Sequence, residues 1–193
     1  MKILIVDIET TGFLSKKNPE KSGKIVEIGV VRLNLKNGKK KILFDYIVNP
    51  GLTKNQLSKT WICKNGYMEP DDILAGHSFL SLAEELQEII NQHKNGATAF
   101  NRKFDVDFLE AYGITFPKLL PCPMLLSTPI CKLPKANSYY PGYKWPKVEE
   151  AYKHFFPESE YVELHRGADD AFHEADIVYA LHKLNKFLSD GGN

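Results

Sequence analysis

The run KILIVDIE at residues 2–9 constrains this chain most: it is apolar on both faces until two acids appear. A segment with no polar face has to be covered on both sides, as a strand in the middle of a sheet is. Successive strand side chains alternate, so Asp7 and Glu9 point to the same face. Two carboxylates at the end of a buried strand repel each other and lose hydration, and a divalent cation is the usual compensation. The Thr10-Thr11-Gly12 that follows ends the strand in a tight turn whose backbone can approach a ligand closely.

The partners of this strand follow it directly. Ser15–Lys24, with Asn18-Pro19 and Gly23, reads as a loop. Lys24–Leu35 is a second strand, Asn37-Gly38 a hairpin turn, and Lys41–Val48 the strand that returns antiparallel. The chain therefore opens on a three-stranded antiparallel meander, which Asn49-Pro50-Gly51 ends. Residues 52–77 are expected to be irregular with one short helix. Leu82, Leu86, Ile89 and Ile90 predict an amphipathic helix over Ser78–His93. Ala97–Asn101 is predicted as a short strand, and Phe104–Tyr112 as a helix stopped by Gly113. The Pro-rich stretch Pro117–Pro146 reads as an ordered loop with a strand candidate at Pro123–Leu126. Helices are expected at Trp145–Phe156 and Ala168–Leu188. Strands first, then helices alternating with strands, predict an α/β fold in which helices pack on a mixed sheet.

A length of 193 residues suggests one domain over 1–193, large enough to bury a core without disulfides. Cys63, Cys122 and Cys131 are odd in number and lack CxxC spacing, which fits free thiols in a reducing compartment. The opening apolar run is too short to span a membrane and has no cleavage site, so a cytoplasmic protein with no membrane contact is expected. The net charge is +1, so global charge does not announce a nucleic-acid binder. Local attraction for phosphate would have to come from Lys16, Lys17, Lys21 and Lys24, from Lys39-Lys40-Lys41, or from Lys132, Lys135, Lys144 and Lys147.

Two further places carry candidate chemistry. In AFNRKFDVDFL, Asp105 falls in the first turn of a helix, where an acid suits the helix dipole. Asp107 competes with it, but Asp105 directly follows Phe104, which would anchor the helix start in the core. In LHRGADDAFHEADIVYAL, His165 lies before a helix that begins with Asp169 and Asp170. Helical steps from Asp170 reach Ile177, Leu181, Leu184 and Leu188, whereas those from Asp169 pass Asp176 and Lys183. Asp170 therefore leans inward and Asp169 toward water. His165 could reach the same place from its loop and titrate near neutrality, while His173 is expected at the surface.

VDIETTG, NRKFDVDFL and HRGADDA, in that order, resemble the three motifs of the DEDDh family of 3′→5′ exonucleases. That family includes the proofreading ε subunit of DNA polymerase III and stand-alone bacterial and phage enzymes. The likeness runs from Asp7 to about Leu184, with a histidine five residues before the last aspartate. It implies a ribonuclease-H-like fold, a central mixed sheet of five strands with the first three antiparallel, flanked by helices. It makes Asp7, Glu9, Asp105 and Asp170 the metal-site carboxylates for two Mg²⁺ or Mn²⁺ ions, and His165 the general base. Many relatives carry histidine where this chain has Phe100, a departure expected to alter packing or substrate contacts.

The implied activity is hydrolysis of single-stranded or frayed DNA 3′ ends to nucleoside 5′-monophosphates. Thr10, Thr11, Gly12, Phe13 and Asn101 are the candidate substrate contacts, with Leu14 an alternative to Phe13. Three alternatives are weighed: a 3′ exoribonuclease or oligoribonuclease, a non-catalytic nucleic-acid-binding or polymerase-associated module (with a polymerase as possible partner), and a structural protein with coincidental acids. No residue identifies the contacts to a 2′-hydroxyl that would separate DNA from RNA.

Overall fold

The computed structural model describes residues 1–15, 17–136 and 141–188, so Lys16 among the candidate phosphate contacts lies outside the described residues. Strands β1 (Lys2–Thr10), β2 (Ile25–Asn34) and β3 (Lys40–Asn49) form the expected meander. Asn34 and Lys39 close the β2–β3 hairpin, with Gly38 in the left-handed region at φ 70°. Two short strands, β4 (His77–Ser78) and β5 (Ala97–Thr98), complete a five-stranded sheet in the order β4-β3-β2-β1-β5. β1 pairs antiparallel with β2 and parallel with β5, which makes the sheet mixed and leaves β1 covered on both edges.

Alternation along β1 divides the core. Leu4, Val6 and Ile8 face one layer, built from α4 (Phe79–Gln92) and α5 (Arg102–Ala111), through Leu82, Leu86, Ile90, Phe108 and Leu109. Ile3 and Ile5 face the other, built from α7 (Val148–Phe155) and α8 (Gly167–Lys183), through Ala171, Ala175, Val178 and Leu181. Asp7 and Glu9 continue the Ile3–Ile5 face, so the acids point toward the start of α8.

Besides the last helix, which ends at Lys183 and not at Leu188 and leaves Leu184 exposed, three segments differ from the sequence expectation. Residues 52–77 hold three short helices, α1 (Lys54–Leu57), α2 (Trp61–Lys64) and α3 (Pro70–Ala75). Local chemistry makes the first and last: Thr53 and Gln56 form a reciprocal capping box, and Pro70 opens α3 where no amide proton is needed. Together the three bury Leu57, Ile62 and Ile73 against Val26. Second, Pro123–Leu126 is not a strand but the start of α6 (Pro123–Cys131). Proline suits the first helical position, and the edge of β5 is met earlier in the chain by Leu119. Third, the strand expected at Ala97–Asn101 stops at Thr98, because Asn101 already caps α5. Among the described residues no helix is long and apolar enough to cross a membrane.

Candidate active site

The approach of α8 to the sheet is set by two glycines. Gly29 lies opposite Asp7 in the β1–β2 register. A Cβ on Gly29 would come within 2.1 Å of the Gly167 backbone, and one on Gly167 within 2.8 Å of the Gly29 nitrogen. With neither side chain present, the first turn of α8 rests directly on the strands, and Asp170 is carried to the carboxylates of β1. Asp170 is buried while Asp169 is half-buried, the division that helical phase predicts.

Asp105 arrives from the opposite layer. It is buried in the first turn of α5, and its Oδ1 accepts the Ile8 amide of β1 at 3.2 Å. Asp107 instead faces outward and pairs with Lys103 at 2.5 Å, an i,i+4 arrangement on the helix surface. His165 completes the group: its Nδ1 lies 3.6 Å from Glu9 Oε1. Glu9, His165 and Asp170 present ligand-type atoms all within 4.8 Å of one another. Asp7 Oδ2 is buried with no hydrogen-bond partner.

This crowding alters proton affinity. Burial first, then the negative charges of Glu174, Asp105, Glu9 and Asp170, hold the Asp7 carboxyl well above the usual range. Burial likewise raises Asp105, only partly offset by the Ile8 amide, and raises Glu9 against the opposing pull of His165. For His165, burial favours the neutral ring, but Glu9, Glu163 and Asp170 together outweigh it and raise its proton affinity. Glu163 itself is pushed up to about 7 by burial.

His165 occupies the left-handed backbone region at φ 53°. For a side chain other than glycine this costs roughly 1 kcal/mol, so surrounding bonds must hold it. Asp170 supplies several. Its Oδ1 accepts the Tyr161 hydroxyl at 2.8 Å and the Leu164 amide at 3.3 Å, and its Oδ2 accepts the Arg166 amide at 2.8 Å. Trp61 and Tyr67 flank the imidazole, both edge-on, at centroid distances of 4.9 and 4.1 Å.

The residues of the first turn are used differently. The Thr11 hydroxyl accepts the Lys24 amide at 2.8 Å, and the Thr10 hydroxyl donates to the Gly12 carbonyl at 2.8 Å, so both threonines serve the turn itself. Phe13 is 83% exposed, and its ring meets the Phe104 edge at 6.2 Å between centroids. Phe13, Leu14, Asn101 and Phe104, with Lys103 and Asp107, line one shallow cavity of about 350 Å³. Phe100 does not join them. It is buried in the α8 layer, with its amide donating to Glu174.

Four residues escaped the sequence reading. Glu174, one turn beyond Asp170, is buried and accepts the Phe100 amide at 3.1 Å. A strict helical step from Asp170 passes through it before Ile177, which was the available signal. Glu27 is the one acid in a largely apolar strand, and Arg166 pairs with it. Tyr161 carries no spacing signal. His173, expected at the surface, is half-buried and stacks on Tyr161 at 4.2 Å, because the 157–166 segment folds back over α8. Of the lysines considered for phosphate, Lys40 is held by Asp176 at 2.6 Å and Lys144 by Glu150 at 2.5 Å.

The model of the family described as Exonuclease (RNase_T) matches residues 4–178, which takes in all three motifs. The chain belongs to the exonuclease family. No curated protein sequence matches it. Solved structures share the fold of this chain at low identity. A full-length 3′-exonuclease is 16% identical with a TM-score of 0.67, over 97% of this chain and 62% of that one. A 3′-exonuclease described as recognising the 3′ end of histone mRNA stem-loop is 17% identical with a TM-score of 0.67, over 96% and 84%. The nuclease domain of 3′hExo, a DEDDh family member bound to rAMP, is 18% identical with a TM-score of 0.57, over 94% and 92%. The chain thus spans less than two thirds of the length of the first of these neighbours. The ribonuclease-H-like arrangement expected from the sequence, a mixed five-stranded sheet flanked by helices, is the one found.

Proposed function

We propose that residues 1–193 form one exonuclease domain that removes nucleotides from a single-stranded or frayed 3′ end as nucleoside 5′-monophosphates. The observation that carries this reading is the meeting of Asp7 and Glu9 from β1, Asp105 from α5 and Asp170 from α8, with His165 at their rim. Divalent cations fit this donor set: the oxygens are hard, the carboxylates crowd one another, and Asp7 Oδ2 has no partner. Asp7, Glu9, Asp105 and Asp170 would hold two Mg²⁺ or Mn²⁺ ions, which supply charge neutralisation at the scissile phosphate and a water of lowered pKa.

The chain's own residues do the rest. His165 accepts the proton of the attacking water on an imidazole nitrogen. The water oxygen bonds to phosphorus, the bond from phosphorus to the 3′ oxygen of the preceding nucleotide breaks, and that oxygen takes a proton from solvent. The Thr10-Thr11-Gly12 turn receives the terminal sugar, and the cavity between Phe13, Phe104 and Asn101 receives the base by stacking.

DNA is the substrate of the first reading. An exoribonuclease reading has separate support, because the fold neighbours include one described with histone mRNA stem-loop and one bound to rAMP. Single-stranded DNA and RNA of one sequence, each labelled at the 3′ end and separately at the 5′ end, decide between them. Asp7→Ala and excess chelator should each abolish release of 3′ label as mononucleotide. Undiminished release in either case sinks the proposal.

A further inference from the structure

His165 does not hold its own position. The amide of Leu164 before it and that of Arg166 after it are fixed by Asp170, but the continuation of the chain is fixed by Glu27. The Arg166 guanidinium straddles the Glu27 carboxylate: Nε lies 3.0 Å from Oε1 and 3.1 Å from Oε2, and Nη2 lies 2.9 Å from Oε1. The Gly167 amide donates to Glu27 Oε2 at 3.2 Å. The two residues that follow the left-handed His165 are thus tied to one side chain of the sheet, and that side chain is 1% exposed. Such two-point geometry fixes direction as well as distance, which a lysine could not do.

Glu27 also stands in a telling place. It is the cross-strand partner of Glu9 in the β1–β2 register, so the two carboxylates share a face. Like charges set opposite each other are unfavourable, and burial raises the proton affinity of both. Arg166 answers one of them. Glu27 is thereby committed to the chain that carries His165, and Glu9 is left to face the imidazole.

From this geometry we infer that Glu27 and Arg166 are positioning residues for His165: the pair sets where the imidazole stands over Glu9, without touching substrate. The inference rests on His165 being the general base of the proposed reaction. A double-mutant cycle tests it, with kcat and KM for a 3′-labelled oligonucleotide at saturating Mn²⁺, Mn²⁺ affinity from the EPR signal of the free ion, and the melting temperature of each variant.

Arg166→Gln should lower kcat by about 10–100-fold, the scale of a misplaced catalytic group. KM and Mn²⁺ affinity should stay within about 3-fold, since the carboxylates and the base cavity are untouched. In a His165→Ala background the same substitution should cost almost nothing further, because a residue acting only through His165 has nothing left to position. Glu27→Gln, which keeps an acceptor for the guanidinium, should lose less than Arg166→Gln. A kcat within about 3-fold of the parent in folded Arg166→Gln, or an equal loss in both backgrounds, overturns the pairing. A loss expressed mainly in KM or Mn²⁺ affinity overturns it as well. If His165→Ala itself keeps full activity, it is the proposed reaction that fails, whatever Arg166→Gln does.

Discussion

The two flanks of the carboxylate cluster are built on opposite plans. On the α8 side, His165 sits in an unfavourable backbone conformation fixed by bonds to Asp170 and Glu27 and by two aromatic rings. On the Phe13 side, a large ring stands almost free, with an edge contact to Phe104 above a shallow cavity. The difference follows from what each flank is asked to do in the proposed reaction. Proton transfer needs atoms held to a fraction of an ångström, so strain is tolerated where many bonds enforce it. Receiving the last base of any sequence needs a π-face and room, and rigid readout would only restrict it.

The sharpest way to break this contrast is Asp170→Asn, because Asp170 serves both the cluster and the segment bearing His165. The amide keeps acceptor capacity on one atom but loses the charge and offers donors where the Arg166 or Leu164 amide already points. We expect kcat to fall by at least about 10³-fold, the equivalent of several kcal/mol of lost charge stabilisation. Amide hydrogen exchange at Leu164 and Arg166 should quicken, while exchange at Phe13 and Leu14 should not change. If the Leu164 and Arg166 amides already exchange as fast as that of Phe13 in the parent protein, the two flanks do not differ in the way described.

The same contrast explains what could be read from the sequence. The meander is legible because apolar runs of strand length and an Asn-Gly turn agree, and each of those signals is local. Asp170 over Asp169 was legible because helical phase carries information across the length of α8. The 157–166 segment was opaque: its fold depends on Tyr161 reaching Asp170 and on Glu27 reaching Arg166 across 139 positions of sequence, and no periodicity reports such a contact. Pro123–Leu126 was misread for a related reason. A short apolar run looks alike as strand or helix, and only the tertiary site occupied by Leu119 leaves the helix as the answer. Gly29 and Gly167 were visible as letters, but their meaning lies in each other.

On the open flank, Phe13→Ala removes the exposed ring and leaves the carboxylates alone. Stacking of a base on an aromatic side chain is worth about 1–3 kcal/mol, so KM for a short oligonucleotide should rise about 5–100-fold with kcat retained. The effect should be similar for different terminal bases, since every base offers a face to the ring. A fall in kcat with KM unchanged would place Phe13 on the rigid side of the comparison.

The smallest effect, and the one that reads the whole cluster at once, is the dependence of stability on pH without metal. Asp7, Asp105 and Glu174 each bind a proton more tightly in the folded chain than in the unfolded one, first because they are buried and then because they repel neighbouring carboxylates. Ionising them therefore opposes folding. The stability linked to their protons is complete below about pH 4, the range of an unfolded carboxyl, and is lost as pH rises through the raised folded values. His165, also raised, contributes in the same direction higher on the scale. In excess chelator the melting temperature should fall from about pH 5 to about pH 8. Mn²⁺ should remove much of the slope, because a bound cation favours the ionised carboxylates. Asp7→Asn should flatten the chelated curve, since one crowded carboxylate no longer has to ionise, and should raise the melting temperature at the alkaline end. A chelated protein that becomes more stable as pH rises over this range would mean that the carboxylates ionise without mutual penalty, and the electrostatic case for a cation among them would be lost.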